Sequence, residues 1–417
     1  MKFNKWTVGL AAVGLVSLTS AARAEEKESM LQTALSSTTL SGYVDTSAQW
    51  NLGSGNDRLP DYKFGGPSKA DGFNLNVVQL RIEKPLDEQE WAAGYRVDLW
   101  AGPDANTLGT QSTAHEGIST GDFAVRQAYV ALRMPVGNGI DWKVGVFDSI
   151  IGYESVESPS NPNYTRSYGH SIEPQTHTGI LGSYRVCDMF SFSAGIANTK
   201  GPSINARAFG EDGKAESSKT FMGSVAITAP ESAGIMAGST IYGGVVVGLD
   251  ENENRADYDQ NSSSYYLGAT LATPIAGLRL GAAFDYLDVA YTRGETYSLA
   301  GYASFQATEK LSLHARAEYL HDRGDQKFFS QTTLADPTDP TSGVTVKTNP
   351  DKVLALTATA QYDLWKNVIS RLEIRWDHSL SGEGTWGSAA TDPDTGIMGQ
   401  GTLRNEVMIA ANLIYKF

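Results

Sequence analysis

Between residues 371 and 377 the chain reads Arg-Leu-Glu-Ile-Arg-Trp-Asp, so that Arg371, Glu373, Arg375 and Asp377 alternate with Leu372, Ile374 and Trp376. In an extended chain successive side chains point to opposite faces. This spacing therefore puts four charges of both signs on one face and three apolar groups on the other. A second concentration of charge sits in the stretch FDSIIGYESVESPSNPNYTRSYGHSIEPQTHTGI, from Phe147 to Ile180. There Asp148, Glu154, Glu157 and Glu173 face only Arg166 as a basic partner. Mixed guanidinium and carboxylate groups suit ion pairing and the orientation of charged or dipolar solutes in water.

Covalent chemistry finds no support. A lipase-type strand site needs a His with a Ser two residues on, and none of His115, His170, His177, His314, His321 or His378 has one. His170-Ser171 and His378-Ser379 are neighbours, which in a strand point apart. There is no HExxH, Walker loop or paired-cysteine motif. Asp250-Glu251-Asn252-Glu253-Asn254 opens like a calcium loop, but Arg255 and Asn261 stand where glycine and glutamate are required. A solvated acidic loop is the expectation there, and no catalytic residue, cofactor or metal is assigned. Cys187, the single cysteine, lies in a short turn with nothing around it to activate a thiol.

The elements that must position these charges are strands. Of the 417 residues, 43 are glycine, 10% are aromatic and only 19% are charged, a composition that disfavours helices and suits pleated surfaces. Lys2 and Lys5 precede an apolar stretch from Thr7 to Leu18, and Ala22-Arg23-Ala24 supplies a small-x-small cleavage pattern. Residues 1–24 are thus expected to be a secretory signal peptide, followed by a short periplasmic segment, 25–39. Cleavage leaves 30 basic and 47 acidic side chains, a balance of −17 that argues against a nucleic-acid partner.

From residue 40 to 417 about ten residues of alternating polarity recur, separated by breaks that are alternately short and long. Sixteen segments are predicted, near 40–52, 73–84, 90–101, 123–134, 141–149, 176–186, 189–199, 219–229, 235–249, 263–273, 277–288, 296–307, 311–321, 352–364, 369–379 and 404–417. Strict alternation of turns and loops is what an all-β, up-and-down antiparallel transmembrane β-barrel gives; sixteen strands are expected, with fourteen or eighteen as the alternatives. The stretch from Ser232 to Leu249 carries no charge, but its five glycines and Val245-Val246-Val247 mark a strand, not a spanning helix. A soluble β-sandwich would alternate too. Against it stand the apolar-face aromatics, which gather at segment ends: Trp50, Phe221, Tyr286, Tyr297, Tyr319 and Trp376 at loop ends, Trp91, Trp142, Phe190, Tyr362 and Tyr415 at turn ends. Two such girdles mark the edges of an apolar band.

The 147–180 block resembles the porin-2 β-barrel (OmpL-like) family. The residues that carry the likeness are Gly152, Tyr153, Glu154, Glu157, Ser158, Asn161, Asn163, Tyr164, Arg166, Ser167, Tyr168, Pro174, His177, Thr178 and Gly179. Leu40 to Asp45 and Arg126 to Val130 look like that family's first and fourth strands. The resemblance implies a passive outer-membrane channel.

The residues and the resemblance together suggest a porin: a water-filled channel for passive diffusion of ions and small hydrophilic solutes, in contact with outer-membrane lipid and lipopolysaccharide. A homotrimer is expected by analogy with other sixteen-strand porins. The other reading is a surface-exposed structural or adhesin-type barrel with a plugged lumen. Eleven basic and nine acidic side chains are expected to face inward, so the excess negative charge belongs to the loops. The third loop, about 150–175, is expected to fold inward and set Glu154, Glu157 and Glu173, with Arg166, across the lumen from the wall arginines Arg81, Arg96 and Arg133. Such an arrangement would form a pore constriction with a transverse field.

Overall fold

The structure, a computed structural model, describes residues 31–32, 37–53, 55–87, 89–110, 121–207, 218–249, 261–289, 294–323, 332–335, 343–346, 349–382, 384–391 and 398–417. The proposed signal peptide, His115 and most of the calcium-loop-like stretch, 250–260, lie outside these residues.

Sixteen long antiparallel strands follow one another around a closed sheet: β1 Thr39–Leu52, β2 Gly72–Lys84, β3 Ala92–Ala101, β4 Phe123–Met134, β5 Ile140–Asp148, β6 Thr176–Arg185, β7 Phe190–Ala197, β8 Thr220–Thr228, β9 Thr240–Leu249, β10 Asn261–Ala272, β11 Leu278–Val289, β12 Gly294–Gln306, β13 Leu311–Arg323, β14 Lys352–Tyr362, β15 Val368–Ser379 and β16 Asn405–Lys416. Closure is made by β1 against β16, from Tyr43 opposite Lys416 to Leu52 opposite Val407. Gly42 and Phe417 exchange backbone hydrogen bonds at 2.9 and 3.0 Å, which extends the seam to the last residue. With no open edge, every strand has two neighbours and its backbone polar groups are paired within the sheet.

All sixteen predicted segments are present. The ninth begins at Thr240 and not at 235, because Glu231–Met236 is taken up by 3₁₀ turns that meet at a kink at Gly234, where φ is 60°. Two longer loops carry hairpins of their own, Thr332–Ala335 with Gly343–Val346 and Trp386–Thr391 with Met398–Leu403. Among the described residues no helix is long and apolar enough to cross a membrane.

Alternation sorts the side chains by face. Outward positions are apolar and exposed, as at Phe73, Val130, Ile180, Leu267, Leu299, Ile374 and Leu413, while inward positions such as Asp98, Arg316, Glu373, Arg375 and Asn412 are polar and covered. Exposed aromatics crown the loop end at Trp50, Phe221 and Tyr265 and the turn end at Trp91, Tyr362 and Tyr415. Two bulges interrupt the alternation. Asn76 has no partner between Asp45 and Thr46. Arg126 is likewise extra between Asp98 and Leu99, so Arg126 and Gln127 are both buried on the inner side.

Candidate functional site: the third loop against the charged wall

The loop between β5 and β6, residues 149–175, runs inside the barrel. An extended segment there would leave its amides and carbonyls unpaired, at a cost of about 1–3 kcal/mol each. Charged side chains of the wall take the place of a neighbouring strand. Arg371 donates to the carbonyls of Ser158 (3.2 Å) and Asn161 (2.5 Å). Arg316 donates to those of Thr165 (2.7 Å) and Arg166 (3.2 Å), and Arg375 to Arg166 (2.7 Å). In the opposite sense Glu373 accepts from the amides of Tyr164 (2.6 Å) and Thr165 (2.9 Å), and Glu318 from that of Tyr168 (2.7 Å). The alternating charges of β13 and β15 are thus a docking strip for the loop backbone. These wall residues were readable as inward-facing but not as loop partners.

The individual residues of the 147–180 block build the loop itself. Asn161 ties its own turn together through the amide of Ser155 and the carbonyls of Ser155 and Glu157 (2.7–2.8 Å). Tyr164 Oη donates to Ser47 of β1 (2.9 Å), and Tyr168 Oη to Asp377 of β15 (2.8 Å). Arg166 donates to the carbonyls of Tyr164 and Val156 (3.1 and 3.0 Å) and lies over Phe64. Ser167 caps a short helix, α1 Tyr168–Ile172, by accepting from the His170 amide. Gly152 has φ of 121°, and a Cβ there would stand 2.5 Å from Glu173 Oε2. Only glycine fits.

The acidic residues of the loop do not look across an open gap. Glu157 Oε1 touches three guanidiniums at once: Arg81, Arg96 at 3.0 Å and Arg126 at 3.2 Å. The same arginines surround Asp98, at 2.9, 2.7 and 2.7 Å, and Arg126 also reaches Asp148 at 2.6 Å. Burial raises the Glu157 carboxyl, but Arg126, Arg81 and Arg96 outweigh it and hold the group below the usual glutamate range. Glu154 pairs with Arg316 (2.9 Å) and accepts from the Ser167 amide (2.8 Å). Glu173 stands 3.5 Å from His170. Burial and the nearby Asp285 push its carboxyl well above the usual range, whereas burial and then Arg166 and Lys63 push His170 well below. Both shifts disfavour the charged form of the two groups. Arg133 pairs with Asp141 (2.7 Å) beside the β4–β5 turn, away from the loop's carboxylates. Glu154 and Glu157 are thus in direct contact with arginines of the wall.

The first two loops also enter the interior, which no local pattern predicts. Tyr62 lies on Arg375 (4.0 Å) and edge-on to Tyr168, and Phe64 packs on Trp100. A second helix by position in the barrel, Pro103–Leu108, buries Ala105 and Leu108 in that cluster, and its Asp104 pairs with Lys69 at 2.5 Å. On the opposite side Ile150, Ile151 and Tyr153 pack on Leu181, Met222, Tyr242, Tyr266 and Tyr302, with Tyr153 stacked on Tyr302 at 4.0 Å. Gly281 leaves the space that the Tyr153 ring occupies. The interior therefore has a charged side, β13 through β16 and β1 through β5, and a side poorer in charge, β6 through β12, of small and aromatic residues with the buried Asp285 of β11 among them. The charged side keeps accessible surface: the side chains of Arg81 and Arg96 retain 20% and 18% of their exposure.

The profile of the family described as "Putative beta-barrel porin-2, OmpL-like" matches residues 37–417. The chain belongs to this family. No curated protein matches it. Among solved structures, this porin-2 family member is similar to the outer membrane channel DcaP of Acinetobacter baumannii, with 12% identity, a TM-score of 0.55 and 91% of this chain and 97% of that chain covered. The anion-selective porin from Comamonas acidovorans gives 12% identity, a TM-score of 0.54 and coverage of 91% and 99%. Salmonella typhi OmpF in complex with daunomycin gives 13%, 0.54 and coverage of 91% and 97%. At such identities the likeness is one of fold.

Proposed function

We propose that this porin-2 barrel is an integral outer-membrane channel through which ions and small hydrophilic solutes diffuse passively. Its chain would be exported by the signal in residues 1–24 and seated in lipid by the apolar band and its two aromatic crowns. The observation that carries the reading is the charged wall at Arg81 and Arg96, partly solvent-accessible inside a closed sixteen-strand sheet. Barrels of this size leave an aqueous path once side chains and loops have taken their share. The inward third loop and the charges around it, Arg81, Arg96, Glu154, Glu157, Arg166 and Glu173, would set the narrowest part of that path. Lipopolysaccharide would meet the loop-end crown, and assembly as a homotrimer is proposed by analogy with the fold.

One observation favours the second reading, a structural or adhesin-type barrel with a plugged lumen: three loops and the Ile150-Ile151-Tyr153 packing fill much of the interior. Stepwise current in a planar bilayer, together with swelling of liposomes in sugars, amino acids and organic acids, supports the channel. A folded, inserted protein that passes no current supports the plug.

A further inference from the structure

Three guanidinium groups from adjacent strands converge on a single carboxylate oxygen, Glu157 Oε1. Two of the three, Arg81 and Arg96, are also the ones still touched by solvent. Carboxylates are commonly received by arginine in this way, through charge-assisted and often forked hydrogen bonds. The wall supplies the receptor, and the loop supplies an occupant from the chain itself.

We propose that Arg81, Arg96 and Arg126 form a binding site for small organic carboxylates in transit, which Glu157 fills as an internal stand-in when no solute is present. This rests on the channel reading and names its solute class.

The charge count favours a carboxylate over a more highly charged anion. Around the site, Arg81, Arg96, Arg126 and Lys143 are set against Glu83, Asp98, Asp148 and Glu157, whose charges act on one another across this wall. With Glu157 in place the group is neutral. With Glu157 displaced it carries one positive charge, which a monocarboxylate restores to zero and a phosphate dianion overshoots. Displacement is also local. Glu157 is held to its own loop by backbone bonds, its amide donating to Ser155 Oγ (3.1 Å) and its carbonyl accepting from Asn161 (2.8 Å), so its side chain can swing away without undoing the loop.

An internal ligand lowers the apparent affinity for an external one in proportion to the fraction of time it leaves the site free. Removing it should therefore reveal the site. The test is equilibrium binding of benzoate to the full-length protein in detergent, alongside bilayer current in chloride and benzoate salts, for wild type, E157Q and the double variant E157Q/R96Q. The expected result is about tenfold tighter benzoate binding by E157Q, lost in the double variant, with benzoate reducing chloride current at matching concentrations. Equal benzoate affinity in wild type and E157Q overturns the proposal, and so does tighter binding of inorganic phosphate than of benzoate by E157Q. If no variant conducts but E157Q binds benzoate as expected, the site stands and the channel reading fails. If all conduct and none binds, the reverse holds.

Discussion

Glu373 is the sharpest place to test whether wall charges hold the third loop. It accepts four hydrogen bonds, with Oε1 taking the Thr165 amide (2.9 Å) and hydroxyl (2.6 Å) and Oε2 the Tyr164 amide (2.6 Å) and the Thr359 hydroxyl (2.7 Å). In the E373Q variant one oxygen becomes an NH2 group facing two donors, whichever way the amide is turned. A hydroxyl can rotate to present its oxygen, but a backbone N–H cannot. At least one buried amide is left without an acceptor, and the remaining bonds lose their charge. A hydrogen bond to a charged group contributes about 1.5–3 kcal/mol, so the local loss is about 3 kcal/mol, or roughly 100-fold in the ratio of docked to undocked loop. Cleavage of an opened segment tracks its open population when reclosing is fast. Limited proteolysis of the full-length protein in liposomes should therefore cut between Ser158 and Arg166 about 100-fold faster in the variant. A rise of less than about threefold, with the barrel still folded by circular dichroism, would refute the view that these charges dock the loop.

Glu173, whose carboxyl burial and Asp285 push well above the usual range, contributes docking stability that is complete below the ordinary glutamate range and is lost as pH rises through its elevated value. Current fluctuations should accordingly grow toward alkaline pH in wild type, and E173Q should flatten that profile. G281A would drive a methyl group into the Tyr153 ring; overpacking of this kind costs about 1–3 kcal/mol and should lower the thermal midpoint in detergent. K69M leaves Asp104 buried without its partner, a loss of about 3–5 kcal/mol that should expose the Pro103–Leu108 helix to protease while the sheet persists. Neutralising both Glu154 and Glu157 as glutamines should shift the reversal potential toward anions, since Arg316 and the Arg81-Arg96-Arg126 group lose their counter-charges; an unmoved potential would place these residues off the conducting path.

The strands were legible because their signal is local. Each is a period-two pattern closed off by turn residues, and β15 with its Arg-Leu-Glu-Ile-Arg-Trp-Asp run could be phased residue by residue. Arg126 was not legible. It sits out of phase with Arg133 on the same strand, and only the bulge opposite Asp98 and Leu99 turns it inward. The loop's destination was half legible. Its prolines, asparagines and glutamates mark a defined path, but the loop amides that bond to Glu373 lie more than 200 positions earlier in the chain. No local pattern encodes that pairing. The same distance explains the contact geometry: spacing can say that Glu157 and Arg81 share an interior, but not that they touch. Tyr62 and Phe64, in a loop that reads as polar, became interior residues only through Arg375 and Trp100.

The proposed channel requires a watered path beside the docked loops. Single-channel recording of the purified full-length protein in a planar bilayer would detect such a path. An open path gives discrete, voltage-ohmic current steps whose reversal potential moves when Glu157 is neutralised. Protein that is demonstrably inserted and folded yet gives no steps in any salt would contradict it, and would leave the barrel as a plugged surface structure.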